Sequence, residues 1–66
     1  IRERLASLSP REREVLELVT QGKANKMVAG DLGVSQRTVE IHRAHVMLKM
    51  EAGSLAELGR MMMAIS

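Results

Sequence analysis

Apolar residues in this chain return at helical rather than strand spacing. Val15, Leu16 and Val19 share one side of a helix, with Leu18 on its flank, and they follow Ser9-Pro10-Arg11-Glu12. That tetrapeptide is a strong start signal: Ser9 can cap, Pro10 suits the first helical position, and Glu12 completes a capping box. Gly22 offers the left-handed conformation of a helix end, so a first firm helix is predicted over residues 10–21. A second begins near Asn25, buries Val28, Ala29 and Leu32, and stops at Gly33. Its cap is poorer, because Ala24 cannot accept a hydrogen bond and Asn25 must serve if anything local does. Ser35 starts the third and longest helix, which reaches about Met50 with Val39, Val46 and Met50 as its apolar stripe. Gly53 breaks the chain, and Ser54-Leu55-Ala56-Glu57 repeats the capping-box pattern to open a fourth helix to about Ala64. Residues 1–7 read as a short helical turn or as the end of a linker, and 1–8 are set aside as linker. No aromatic residue occurs and β-branched residues do not alternate, so the fold class is all-α, with four helices.

The third helix does not read as a simple amphipathic one. At about 100° per residue, Ile41 falls about 160° from the stripe that Val39 begins. The face opposite the core holds Arg37, Ile41, Ala44 and Leu48, with Glu40 and His45 at its edges. Two aliphatics on a polar face imply a contact surface. The spacing before it is also informative: Val28, Ala29, Leu32, Gly33, Val34 and Val39 fit two short helices crossing steeply through a tight turn. That is a helix-turn-helix grammar over residues 25–44, with a generic helical hairpin as the plainer reading. The fourth helix has a stripe of Leu55, Leu58, Met62 and Ile65, which Ala56, Gly59 and Met63 widen to about 200°, beyond the roughly 100° a core face needs. Small residues at 56 and 59 would admit a second helix, so Ala56, Gly59 and Met63 are candidate dimer contacts; a loosely packed terminal helix is the alternative.

Length narrows the function. Sixty-six residues make one domain, with no room for a cofactor-sized or small-molecule pocket, and the start at Ile1 suggests a piece of a longer protein. The absence of Cys removes disulfides and thiolate metal sites, and no apolar run approaches a membrane span, so a cytoplasmic protein is expected. The net charge of +2 is distributed unevenly: residues 1–22 balance, residues 23–50 carry +3, and residues 51–66 carry −1. Positive charge concentrated on the central third is compatible with a phosphate backbone as partner. That third also holds His42 and His45, three apart on a helix, which is metal-ligand spacing. With no Cys and no evident cluster to supply further ligands, neither a metal site nor a cofactor is expected. No nucleophile and base are arranged for catalysis, so the chain is not read as an enzyme.

Residue identities carry the reading further. Leu8-Ser9-Pro10-Arg11-Glu12-Arg13-Glu14-Val15-Leu16, Gly22, Asn25-Lys26, Ala29, Leu32, Val34-Ser35, Thr38-Val39-Glu40-Ile41-His42-Arg43, Val46, Lys49-Met50 and Ser54-Leu55 run through nearly the whole chain. In these the chain closely resembles the carboxy-terminal helix-turn-helix domain of LuxR-type regulators, and in particular their FixJ-like response-regulator branch. The resemblance implies a four-helix domain that binds double-stranded promoter DNA, usually as a homodimer, with the third helix in the major groove and the fourth as dimer contact. It also implies a phosphorylatable receiver domain, absent from this fragment, a sensor kinase upstream, RNA polymerase as a partner, and a bacterial, nucleoid-associated location when bound. Carried over by position, base reading falls on Glu40, Ile41 and Ala44. Backbone contact falls on Lys26, Ser35, Arg37, Thr38, His42, His45 and Lys49. Asn25, Arg43 and Leu48 are further candidates for DNA contact.

Three of these assignments carry their own physics. Ile41 suits the methyl group that thymine presents in the major groove, and Glu40 can accept from cytosine N4 although a carboxylate repels phosphate. Glu40 stands where the wider family commonly has lysine, and the plainer reading is an exposed residue in a helical charge pair. Arg43 falls near the core stripe, so its stem is expected to pack while its guanidinium snorkels out. Two other functions share the helical pattern: a sigma-factor-like promoter-recognition domain, and a protein-interaction module that dimerises through the fourth helix.

Overall fold

The computed structural model describes residues 2–65. Five helices follow one another: α1 (Arg2–Ala6), α2 (Pro10–Thr20), α3 (Asn25–Leu32), α4 (Gln36–Lys49) and α5 (Leu55–Ala64), with no strand among the described residues. The four expected helices are α2 to α5, and α2, α4 and α5 start at their expected serine caps. Ser9 Oγ accepts from the Glu12 amide at 3.2 Å while Glu12 Oε1 accepts from the Ser9 amide at 2.9 Å, closing the capping box. Gly22 and Gly33 both take positive φ, 90° and 69°, where a glycine has no Cβ to strain. Residues 2–6 form a helical turn whose Leu5 packs against the core.

Two helix starts depart from the local reading. Ala24 provides no side-chain cap, and Asn25 does not replace it, because its Oδ1 accepts from Arg43 Nη1 at 2.9 Å. The first turn of α3 is left to packing. At α5, Ser54 Oγ accepts from the Glu57 amide at 3.1 Å, but Glu57 Oε2 takes the Gly53 amide at 3.0 Å instead of the Ser54 amide. Here the reciprocal half of the box is shifted back by one residue.

The core is aliphatic throughout. Val15, Leu16 and Val19 of α2, Val28 and Ala29 of α3, Val39 and Val46 of α4, Met50 at its end and Leu58 of α5 are buried together. α4 packs on both α2 and α3, so its inward face is fully used, and α5 leans on α2 alone among its stronger contacts. Leu58 is the single fully buried side chain of α5, with Met61 and Met62 partly buried beside it. Leu55, expected in that stripe, is exposed. No helix among the described residues is long and apolar enough to cross a membrane.

Candidate nucleic-acid interface

α3, the turn at Gly33 and α4 form the corner read from spacing. Gly33 closes α3 in the left-handed conformation with its amide on Ala29 O, Val34 packs against the core, and Ser35 caps α4 by accepting from the Thr38 amide at 3.1 Å. The Ser35 and Thr38 hydroxyls also meet at 2.9 Å, so the cap is held by two contacts. With Val39 and Val46 at zero exposure, the opposite side of α4 is turned outward. Arg37, Glu40, Ile41, Ala44 and Leu48 are all exposed there, with Ile41 at 45% and Leu48 at 76% of full accessibility. The structure thus brings the three base-reading candidates onto one open face. The flanking candidates surround it: Lys26 is exposed at the start of α3, Thr38 and His42 are half-buried, and His45 and Lys49 are exposed toward the α2 side.

Electrostatics separate these residues into two groups. Lys23 is neutralised by Asp31 at 2.7 Å, and Arg4, Arg11 and Arg13 each have a carboxylate partner. Among the described residues Lys26, Arg37 and Arg43 have no carboxylate within ion-pair distance. Positive charge is therefore left uncompensated beside the outward face of α4, where anionic phosphate would be attracted. Arg43 differs from the other two. Its guanidinium donates to Asn25 Oδ1 across the corner, tying α4 to the start of α3.

Lys49 belongs to the second group. Its ammonium donates to Glu12 Oε1 at 2.8 Å and reaches Ser7 O at 3.4 Å, clamping the end of α4 to the start of α2. Glu12 is only 5% exposed, and His45 Nδ1 lies 3.4 Å from its other oxygen. The Lys49 hydrogen bond, followed by that of the Ser9 amide, lowers the Glu12 pKa from its ordinary 4.5 to about 2, overcoming the desolvation that pushes it up. Sequence reading saw Glu12 as a cap residue and missed this burial. The signal was available: Glu12 precedes Val15, Leu16 and Val19 at three, four and seven residues, on their own face. The fold also brings Glu12 within reach of the histidine pair, a third donor that local spacing could not reveal.

On α5, Ala56 and Met63 are exposed and Gly59 half-buried. They line a shallow groove with Thr20, Arg60 and Met62, and a Cβ placed on Gly59 would meet nothing within 4 Å.

Comparison with known proteins agrees with this geometry. Residues 6–62 match the family described as bacterial regulatory proteins, luxR family. The transcriptional regulatory protein FixJ of Azorhizobium caulinodans is 62% identical over 58 residues, covering 88% of this chain and 28% of that protein. FixJ of Rhizobium meliloti is 58% identical over 64 residues, covering 97% and 31%. A crystal structure of full-length FixJ from B. japonicum superposes with a TM-score of 0.89 at 52% identity, over 96% of this chain and 31% of that one. The chain thus spans less than a third of the length of these relatives. On the family match and these identities, the chain belongs to the LuxR family of bacterial regulatory proteins.

Proposed function

We propose that this domain reads promoter DNA in a sequence-specific manner with α4 in the major groove. The observation that carries the reading is the outward face of α4: exposed Ile41 and Leu48 on a helix whose other side is fully buried, flanked by the uncompensated Lys26 and Arg37. Apolar side chains held toward solvent by a rigid core are complementary to a groove wall, and Ile41 suits a thymine methyl. Glu40 and Ala44 share the base-facing role, Glu40 by accepting from cytosine N4, with Leu48 at the far end of the same face. Lys26, Ser35, Arg37, Thr38, His42 and His45 set the register on phosphates, as first helix and cap residues do in helix-turn-helix proteins. Arg43 and Asn25 act by holding the corner angle. Lys49 acts first by holding Glu12, and any phosphate contact shares its ammonium with that carboxylate.

α5 serves as the contact between two copies, its groove of Ala56, Gly59 and Met63 allowing close helix approach. In the whole protein this domain follows a receiver phosphorylated by a sensor kinase and acts with RNA polymerase at the bacterial nucleoid, in the cytoplasm. The sigma-factor-like alternative loses its footing with the LuxR family match.

The test is selection of bound duplexes from a random pool, followed by variants. Ile41→Ala and Glu40→Ala change which bases are preferred. Arg37→Ala weakens binding to all sequences alike and reduces the salt slope by about 0.9. A uniform loss in all three removes the base-reading assignment, and no enrichment of any sequence removes the reading as a whole.

A further inference from the structure

We propose that Glu12, His42 and His45 form a binding site for a divalent transition metal of the zinc class at the junction of α2 and α4. One donor atom from each of the three residues lies within 4.8 Å of the others. Zinc bonds of about 2.0–2.2 Å place neighbouring ligands about 3.4 Å apart. The gap from 4.8 Å is closed by side-chain rotation, and His45, with 53% of its side chain exposed, is free to rotate.

A second observation points to the same ligand. His42 Nδ1 is buried and has no hydrogen-bond partner among the described residues, although buried polar atoms are almost always paired. An imidazole with one nitrogen orphaned beside a carboxylate and a second imidazole is under-satisfied as the structure stands. A cation taking one ring nitrogen fixes which tautomer is present and gives the His42 ring a defined role in the cluster.

The carboxylate is prepared for the task. Glu12 Oε1 takes the Ser9 amide at 2.9 Å and the Lys49 ammonium at 2.8 Å, while Oε2 faces His45 Nδ1 at 3.4 Å. One oxygen is therefore held by outer partners and the other is turned toward the His45 imidazole, as a ligating carboxylate requires. Two imidazoles and one carboxylate select zinc, cobalt, nickel or copper over calcium or magnesium, which prefer oxygen alone. Three protein ligands leave a fourth position, open on the exposed His45 side, for water. The Lys49 ammonium opposes the cation electrostatically, and at 39% exposure it can turn to solvent.

The site shares His42 and His45 with the proposed phosphate contacts, but its test is made on the free protein without DNA, so its failure is distinguishable from failure of the DNA reading. The experiment titrates the tag-free 66-residue chain with Co²⁺ and then Zn²⁺ at neutral pH, following cobalt absorption and thermal melting. One equivalent of Co²⁺ produces the intense visible band of four-coordinate cobalt, Zn²⁺ displaces it, and Zn²⁺ raises the melting temperature until a chelator removes it. His45→Ala weakens binding by at least about tenfold, and His45→Cys retains it with an added thiolate-to-cobalt charge-transfer band. Because His45 is exposed, these variants keep the fold and the comparison is decided on them rather than on the half-buried His42. Absence of the band at stoichiometric cobalt overturns the site. So does a His45→Ala chain that binds cobalt as the parent does.

Discussion

Replacing Lys49 by methionine keeps the aliphatic stem and removes the ammonium that meets Glu12 Oε1 at 2.8 Å. What remains is a carboxylate at 5% exposure with the Ser9 amide and, weakly, His45 as partners. The fall of the Glu12 pKa from 4.5 to about 2 corresponds to roughly 3 kcal/mol at about 1.4 kcal/mol per pH unit. Ser9 supplies part of that, and the Lys49 ammonium is screened by water, which leaves about 1–2 kcal/mol for the ion pair. For a domain of this size the melting temperature of Lys49→Met falls by roughly 5–15 °C at pH 7. The pH dependence gives a sharper check. A carboxyl whose folded pKa is depressed contributes in full above its unfolded value of 4.5 and loses that contribution as pH falls through about 2. The difference between parent and variant is therefore constant at neutral pH, narrows below 4.5 and closes near 2. Glu12→Gln combined with Lys49→Met recovers part of the loss, since the unpaired buried charge is gone. Urea unfolding at a series of pH values measures all of this. An unchanged midpoint for Lys49→Met at pH 7, or a difference that persists at pH 2, refutes the clamp and returns Lys49 to a purely phosphate-facing role.

Gly33→Ala tests the corner: its Cβ would meet nothing within 4 Å, so a loss of about 1 kcal/mol in denaturant unfolding arises from the positive φ alone. Gly30→Ala, within α3 and equally unhindered, stabilises by about 0.5–1 kcal/mol in the same assay. Asn25→Ala leaves the half-buried Arg43 guanidinium without its acceptor and lowers stability by about 1 kcal/mol, with duplex affinity falling for all sequences alike in gel-shift titration. Ala56→Glu on the exposed side of α5 shifts sedimentation equilibrium toward monomer while the melting temperature of the dilute chain stays within about 2 °C.

Much of the local structure was legible because caps and stops act over three or four residues. Ser9 with Glu12, Ser35 and Ser54 each start a helix, and Gly22 and Gly33 each end one, since the hydrogen bonds involved join near neighbours in the chain. The outward placement of Ile41 was legible for a related reason. Once Val39 and Val46 are buried, the helical repeat leaves Ile41 no other direction.

Long-range partners were another matter. Glu12 read as a cap residue and is one, but its burial and its bond to Lys49 depend on where the end of α4 comes to rest against α2. Asn25 read as the only local cap for α3, and Arg43 18 residues later took its oxygen. The arc on α5 reads as wider than a core face, but Leu55 emerged exposed and Met61 partly buried, because the arc alone does not say how the helix rolls on its neighbour.

By itself, then, the sequence determined the helices, their limits, the inward and outward sides of α4 and, through its resemblance, the family. Periodicity and capping are properties of a single helix and survive without knowledge of its surroundings. The tertiary structure decided which charges are spent internally and which remain for a partner, and it alone assembled Glu12 with His42 and His45. Those outcomes depend on the crossing of α2 and α4, where a small change in angle exchanges one set of side-chain neighbours for another.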